Sequence, residues 1–288
     1  MPELPEVETV RVQLIDKVVG KKIKGVEVFH DKTVGFDEDF EQKLLGKIIS
    51  DIGRVGKLLF FSFKNESDLF MLAHLKMTGQ FFYVSKNEVV TGGGHSMTEN
   101  DMREFPGRHT RCAFYFADGT SLYFNDMRIF GYLRLVDKPG LETAKSGYGP
   151  EPIDPDFDID WFLQKLKRRN TNIKAVLLDQ TFVSGLGNIY VDEALWRAKV
   201  LPERQASSLS KREATALAVA SKEVMLESIL KGGTTFQSFA DTEGREGNFR
   251  DYLKVFGRQG QICERCGGEI KKIRVAGRGT HFCSKCQR

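Results

Sequence analysis

The chain opens Met1-Pro2-Glu3-Leu4-Pro5-Glu6, and a proline in second position followed by a glutamate can do chemistry. Initiator methionine is usually removed before a small second residue, which would leave Pro2 with a free secondary amine. An α-amino group has a pKa of about 7.7–8.0, so an appreciable fraction is unprotonated near neutrality. A secondary amine attacking a sugar C1′ gives an iminium ion, an electron sink that acidifies the C2′ proton and makes strand elimination possible. Glu3 is adjacent and could shuttle the protons such steps require. The plainer reading is a capped helix with an idle terminus, because Pro5, Glu6 and Glu8 suit a helix start and Val7, Val10 and Leu14 recur at helical spacing.

Four of the five cysteines crowd the other end, Cys263, Cys266, Cys283 and Cys286. Their C-x2-C-x16-C-x2-C spacing puts two knuckles about one β-hairpin apart, which suits tetrahedral thiolate binding of one Zn²⁺. Four thiolates leave no open position for water, so the zinc is expected to be structural. A disulfide pair is the alternative, and a cytoplasmic setting argues against it. Cys112, alone in "RCAFYF", reads as a buried small hydrophobe. Arg278 lies between the cysteine pairs, where a hairpin tip would hold it out to clamp a phosphate or simply leave it in solvent.

Two further clusters invite a polyanion. In "VSGLGNIYVDE", Gly185 and Gly187 permit a tight turn with exposed amides, and Asn188 begins a helix whose dipole favours phosphate; a plain helix-to-helix turn is the alternative. In "NDMRIFGYL", a strand ending in Asn-Asp is followed by Arg128 and Phe130. Such a pair could wedge into a duplex, the ring replacing lost stacking and the guanidinium lost base-pair hydrogen bonds. The ordinary explanation makes Phe130 core and Arg128 surface, and Met77 in "HLKMTGQ" is likewise either a core filler or a third wedge residue.

These residues need elements to hold them. From about Lys21 to Val136 seven short β-branched or aromatic runs, "KKIKGVEVF", "KLLFFSF", "LFMLAHL", "GQFFYV", "RCAFYF", "SLYFND" and "YLRLV", predict a two-sheet sandwich or flattened barrel. The Asp-Gly of "FADGTSLYF" marks a hairpin. After the Pro- and Gly-bearing "SGYGPEPIDPDFD" the periodicity turns helical. Ile159, Phe162, Leu163 and Leu166 share a face, and "SKREATALAVASKEVMLESILK" opens with a capping box of Ser210 and Glu213. The expected layout is a multidomain α+β chain: an N-terminal helix plus β-sandwich (1–136), a linker (137–152), a helical domain (153–247) and a zinc hairpin (248–288).

At 288 residues, 41% hydrophobic and 28% charged, the chain is an ordinary globular protein with room for two cores. No apolar run reaches the length of a membrane span, and the acidic start is unlike a signal peptide, so a cytoplasmic protein with no membrane partner is expected. From Asn248 onward there are ten Lys or Arg against three Asp or Glu, a balance of +7 within a net charge of +4. A basic terminal module on a slightly acidic body suggests a polyanion partner, a solvated lysine-rich face being the alternative.

Taken together, "MPELPEVETV", "GRVGKLLF", "HLKMTGQ", "NDMRIFG", "YGPEP", "LLDQTFVSGLGNIYVDEALWRA", "GGTTFQSF", "YLKVFGRQG" and the closing "CSKCQR" resemble the formamidopyrimidine-DNA glycosylases across essentially the whole chain. The resemblance implies an N-terminal β-sandwich, a helix-two-turns-helix domain and a C-terminal zinc-finger β-hairpin. It implies a base-excision repair enzyme that removes 8-oxoguanine and formamidopyrimidines from duplex DNA. An AP lyase activity would then cut the abasic strand by β,δ-elimination through a proline Schiff base, the enzyme acting as a monomer.

The same resemblance assigns roles. Pro2 is the expected nucleophile, Glu3 the acid that helps open the sugar ring, Lys57 a proton donor and phosphate contact, and Arg278 the phosphate-binding arginine associated with δ-elimination. Asn188 and Lys174 are expected phosphate contacts, and His74 and His109 DNA contacts. Met77, Arg128 and Phe130 are expected to fill the void left by an everted base, Arg128 facing the orphaned cytosine. Residues 232–247 resemble a lesion-recognition loop. Three departures stand out: Ile129 and Asn170 replace basic residues common in relatives, which should weaken phosphate affinity, and Gln237 replaces a basic residue of the loop, which bears on lesion preference. The nearer rival is an endonuclease VIII-like activity on oxidised pyrimidines, against which Leu4 and the Arg128/Phe130 pair speak. A rival of another class is a non-catalytic zinc protein that binds damaged DNA.

Overall fold

The computed structural model describes residues 1–86, 89–92, 105–234 and 249–288. By its internal contacts the chain divides into two compact units, Met1–Ser146 with Gly232–Asn248, and Gly147–Lys231 with Phe249–Arg288.

The first unit begins with helix α1 (Leu4–Val18), which turns Val7, Val10, Leu14 and Val18 into the core. Burying each of these side chains contributes about 1.5–3 kcal/mol. Strands β1 (Ile23–Val28), β7 (Thr110–Phe116), β8 (Ser121–Asp126), β5 (Gly79–Val84) and β6 (Val89–Gly92) form one antiparallel sheet in that order. Strands β2 (Ile49–Val55), β3 (Leu58–Phe63), β4 (Phe70–His74) and β9 (Tyr132–Val136) form the other. Phe61 and Met71 of one sheet share a single core with Phe81, Phe114 and Phe124 of the other, the interdigitated interior of a sandwich. All seven runs read from the sequence are strands. Cys112 is fully buried among these hydrophobes.

Elements outside those runs also appear. Two short helices, α2 (Asp31–Val34) and α3 (Phe40–Leu44), follow β1, and β2 and β6 add a strand to each sheet. The expected linker is not bare chain: helix α4 (Lys138–Ser146) fills most of it and buries Leu141.

The second unit packs α5 (Ile159–Lys167), α6 (Ile173–Leu178), α7 (Asn188–Arg197) and α8 (Lys211–Leu230) together with the hairpin of β10 (Ile270–Val275) and β11 (Arg278–Cys283). Ser210 and Glu213 form the expected capping box on α8. The hairpin is therefore not a separate body but part of the helical unit. Trp196 of α7 shares a small core with Cys263, Cys283, Val255 and Ile270, and its indole N–H donates to Cys263 Sγ at 3.4 Å. Arg265 lies 3.7 Å over the Trp196 ring and donates to its carbonyl at 2.6 Å.

Candidate active site and zinc hairpin

In the first unit Pro2 and Glu3 are buried at the head of α1. The Glu3 amide donates to Glu6 Oε2 at 2.9 Å, half of a capping box that fixes the entry of the chain into the helix. Glu6, itself 1% exposed, accepts with its other oxygen from both the amide and the hydroxyl of Thr234, each at 2.8 Å. One carboxylate thus ties the Pro2-Glu3 terminus to Gly233-Thr234, where the expected lesion-recognition loop begins. Residues 235–247 of that loop, Gln237 included, lie outside the described residues.

Lys57 sits in the two-residue turn joining β2 to β3, with Val55 paired to Leu58. Gly56 adopts φ 55°, a value at the first turn position that matches the twist of a two-residue hairpin and that a side chain would resist. Arg54 donates to the Gly56 carbonyl at 3.0 Å and to Glu8 of α1 at 2.8 Å, so the helix holds the turn. Burial works against a charged Glu8, but Arg11 and Arg54 outweigh it and keep its carboxyl below the usual range. Lys57 is 3% exposed.

His74 ends β4 opposite Leu58. Burial, with Lys76 and Lys57 adding their charge, pushes its imidazole down to about 3, so it is neutral at physiological pH. Its Nδ1 accepts the Lys76 amide at 3.0 Å, which places the remaining ring proton on Nε2 as a donor. His109 is half-buried, and its carbonyl accepts the Asp126 amide at 2.9 Å.

Met77, Arg128 and Phe130 come together. Arg128 Nη1 lies 3.3 Å from Met77 Sδ, and its guanidinium is 4.6 Å from the centre of the Phe130 ring. Phe130 is 47% exposed, so the ordinary reading of it as core is wrong. Ile129, between the two, is held at φ 55°. Beside this cluster a cavity of about 360 Å³ is lined by Met1, Lys32, Lys76, Met77, Phe130 and Arg134 among others. Met1, Met77 and Phe130 thus border the same space, with the three cations Lys32, Lys76 and Arg134 on its wall.

Sequence reasoning missed the residue beneath the Met77/Arg128/Phe130 cluster. The Asp126 carboxylate, 1% exposed, accepts from the amides of Arg128 at 3.1 Å, Phe130 at 2.8 Å and Gly131 at 2.6 Å, and from the Thr78 hydroxyl. A Cβ on Gly131 would stand 2.9 Å from Phe124 and 3.0 Å from Asp126 Oδ2, so only glycine allows this approach. The signal available in the sequence was Asp126 itself, an acidic residue two before an arginine in a chemically loaded turn.

In the second unit Arg278 is exposed and opens β11 immediately after the two-residue turn Ala276-Gly277, paired across the hairpin with Val275. Its neighbour Gly279 is fixed from the helices: the Asn188 side-chain amide donates to the Gly279 carbonyl at 2.9 Å. Asn188 is the first residue of α7, as expected, and Gly185 takes φ 93°; Gly187 is extended and serves as the N-cap. Lys174 departs from expectation. It has no exposed surface, and its ammonium lies 2.6 Å from Asp192 Oδ1, so it does not present a charge to a phosphate at the surface. Asp192 Oδ2 in turn accepts the His281 amide of β11 at 2.7 Å. Asn170 is exposed and accepts the Gln205 side-chain amide at 3.3 Å.

The four cysteine sulfurs all lie within 4.8 Å of one another, Cys263 to Cys286 at 3.9 Å and Cys266 to Cys283 at 3.4 Å. A tetrahedron with arms of about 2.3 Å has edges near 3.8 Å, so the cage fits one Zn²⁺. The donor chemistry fits as well. Burial opposes ionisation of Cys263, yet hydrogen bonds from Trp196 and from the Arg265 and Cys266 amides bring its thiol down to about 6. Burial and the neighbouring thiols Cys283 and Cys263 push Cys286 up to about 12, a conflict that a central dication resolves. The zinc is structural, its four positions filled by thiolates.

Comparison with known proteins agrees with this layout. The N-terminal domain model of formamidopyrimidine-DNA glycosylase matches residues 1–133, its H2TH domain residues 148–240, and a zinc finger found in FPG and IleRS residues 260–288. Curated formamidopyrimidine-DNA glycosylases from Ligilactobacillus salivarius and Streptococcus pneumoniae are 43% and 40% identical, over 100% of this chain and 99% of theirs. The solved complex between Lactococcus lactis Fpg and abasic-site DNA superposes with a TM-score of 0.87 at 36% identity, covering 99% of each chain. A complex of wild-type Lactococcus lactis Fpg (MutM) with DNA containing N7-benzyl-Fapy-dG gives 0.86 at 37%, covering 100% of each. A sandwich headed by Pro2-Glu3, a Met77/Arg128/Phe130 cluster at its surface and a four-thiolate hairpin built into a helical unit are all accounted for by one assignment: the chain belongs to the formamidopyrimidine-DNA glycosylase family.

Proposed function

We infer that this chain is a base-excision repair DNA glycosylase that releases oxidised purines, 8-oxoguanine and formamidopyrimidines, from duplex DNA, and that it then cleaves the abasic strand as an AP lyase. The observation that carries the reading is that Met1, Met77 and Phe130 line one cavity of one compact unit, with the Arg128 guanidinium held against Met77 and Phe130. Family membership supplies the substrate class.

Base eversion comes first, because C1′ is out of a terminal amine's reach while the nucleotide is stacked. Met77 and Phe130 fill the vacated space, and the Arg128 guanidinium meets the orphaned base. Removal of Met1 bares the Pro2 nitrogen, which bonds to C1′ as the bond from C1′ to the damaged base breaks, the proton released from the amine passing to the departing base nitrogen. Glu3 gives a proton to the ring oxygen O4′ as the sugar opens, leaving the iminium of Pro2. Loss of a C2′ proton then expels the 3′ phosphate, loss of the C4′ proton expels the 5′ phosphate, and water releases the sugar remnant and regenerates the amine. Lys57 and Arg278 serve as proton donor and phosphate clamp in these steps, with His74, His109 and Asn188 on the phosphate backbone. Lys174 contributes from inside, through Asp192 and the hairpin. The enzyme works as a monomer on chromosomal DNA.

Borohydride reduction during reaction with an 8-oxoguanine duplex tests the reading. The expected product is a covalent adduct that peptide mapping places on Pro2. Tight binding without an adduct would make the chain a damaged-DNA binder, an adduct on another amine would remove Pro2 from the mechanism, and cutting confined to oxidised pyrimidines would establish the endonuclease VIII-like reading instead.

A further inference from the structure

We propose that Asp126 is the positioning residue of the wedge: its buried carboxylate sets the backbone from which Met77, Arg128 and Phe130 reach into the duplex, and so governs how the base opposite the lesion is read. The proposal rests on the glycosylase reading above and deepens it at one site.

Asp126 closes β8, and its own backbone is fixed at both ends. Its amide donates to the His109 carbonyl at 2.9 Å, and its carbonyl accepts from Arg111 Nε at 2.8 Å. From that fixed point the two carboxylate oxygens divide the work. Oδ2 takes the amides of Phe130 and Gly131 at 2.8 and 2.6 Å. Oδ1 takes the Arg128 amide at 3.1 Å and the hydroxyl of Thr78, the residue after Met77, and the Thr78 oxygen lies 3.1 Å from the same Arg128 amide. Strand β5, which begins just after Met77 and Thr78, is thereby pinned to the turn that follows β8. The wedge side chains come from two segments of chain, Met77 from the one before β5 and Arg128 with Phe130 from the turn after β8, and the carboxylate is where those segments meet.

The turn needs such a clamp. Ile129 is β-branched and held at φ 55°, a left-handed conformation that such residues avoid, and it persists only where neighbouring contacts over-determine it. The amides on either side of it, those of Arg128 and Phe130, are the ones Asp126 holds. An ionised carboxylate offers about four acceptor sites and no donor, which matches three amides and one hydroxyl. Asparagine has the same shape but turns one oxygen into a donor, so that one pair of these N–H or O–H groups would meet an NH₂.

Asp126→Asn separates wedge geometry from chemistry. In single-turnover excision from a duplex with 8-oxoguanine opposite cytosine, the variant is expected to lose activity by up to about 100-fold, the scale of a misplaced positioning contact. Its preference for cytosine over adenine opposite the lesion should fall toward one, and the fluorescence rise of a 2-aminopurine placed beside the lesion, which reports unstacking, should shrink in parallel. Borohydride trapping on a single-stranded abasic oligonucleotide, where no stack has to be replaced, should stay within about twofold of the unmodified protein. Thr78→Ser, which keeps the hydroxyl, should behave as the unmodified protein, and Thr78→Val should show a smaller version of the Asp126→Asn defect. Should Asp126→Asn fail to fold by circular dichroism, the Thr78 pair carries the same comparison.

The proposal is overturned if the folded variants keep both the opposite-base preference and the 2-aminopurine signal, or if trapping on the single strand falls as far as excision from the duplex. A failure of the glycosylase reading itself looks different, since the unmodified protein would then give no adduct on either substrate.

Discussion

Lys174 and Asp192 form an ion pair 2.6 Å long with neither side chain exposed. Asp192 reaches beyond the pair to the His281 amide, so one carboxylate fastens α6, α7 and β11 together beneath the hairpin that carries Arg278. Removing one partner of a buried pair leaves an uncompensated charge, at a cost of about 3–5 kcal/mol. Asp192→Ala is therefore expected to lower the unfolding free energy by that order in urea titrations. Replacing both residues, Lys174→Met with Asp192→Leu, should cost less than the single change, because only the His281 amide is then left without its acceptor. Equal or greater loss in the double variant would show that the pair is not what holds the hairpin.

The zinc cage makes a second prediction. Cys266→Ser should reduce bound zinc well below one per chain by elemental analysis and lower DNA affinity together. The reason is local: the cage shares its core with Trp196, and Arg265 is stacked on that ring, so loss of the metal loosens α7, whose Asn188 holds Gly279 beside Arg278. Normal DNA binding by the metal-free protein would separate the cage from the hairpin's function.

How much of this was legible beforehand differs by residue. The strand runs were readable because aromatic and β-branched residues cluster between turn formers, and the cysteine spacing carried its own geometry. Strand β2 was hidden because "ISDIGRV" breaks the alternation with Asp51, Gly53 and Arg54, and its Gly53 is explained only by the Phe60 ring packed where a Cβ would be. Asp126 was passed over as a strand end because its partners are backbone amides and a hydroxyl 48 positions earlier, none visible as a residue type. Lys174 was expected on a phosphate because the family resemblance assigned it there, and its partner Asp192 was one acidic residue among many. Spacing reveals ligands of one metal, but the side chains that hold other side chains in place become visible only in three dimensions.

His74 gives a pH prediction with a defined sign. Its imidazole is pushed down to about 3 in the folded protein by burial and by Lys76 and Lys57, against an ordinary value of 6.5. Above pH 6.5 both folded and unfolded states hold it neutral and it adds no pH dependence. As pH falls from 6.5 toward 3 the unfolded state takes up the proton and the folded state does not, so stability drops by up to about 1.4 kcal/mol per unit from this group. His74→Gln should accordingly flatten the fall of the melting temperature between pH 6.5 and 4. An unchanged slope would mean that the histidine is not held neutral.

Glu6 offers the sharpest test of how the terminus is set. One oxygen holds the Glu3 amide at 2.9 Å and the other holds Thr234 through two bonds of 2.8 Å. Glu6→Gln keeps the shape and one acceptor, but its amide NH₂ must face either the Glu3 amide or Thr234. Losing the capping interaction alone costs about 0.5–2 kcal/mol, so the variant should remain folded with a modestly lower melting temperature. The larger effect is expected on chemistry, because a shift of the Glu3 backbone moves both the proposed acid and the Pro2 nitrogen one residue before it. Single-turnover base release should therefore drop by at least about tenfold, while affinity for a duplex carrying a stable abasic analogue changes by less than about threefold, a split expected when positioning rather than binding is lost. Thr234→Val leaves Glu6 bonded to Glu3 and should spare the trapping of Pro2 on a preformed abasic site. If Glu6→Gln excises 8-oxoguanine at the unmodified rate, the capping carboxylate has no part in placing Pro2 and Glu3.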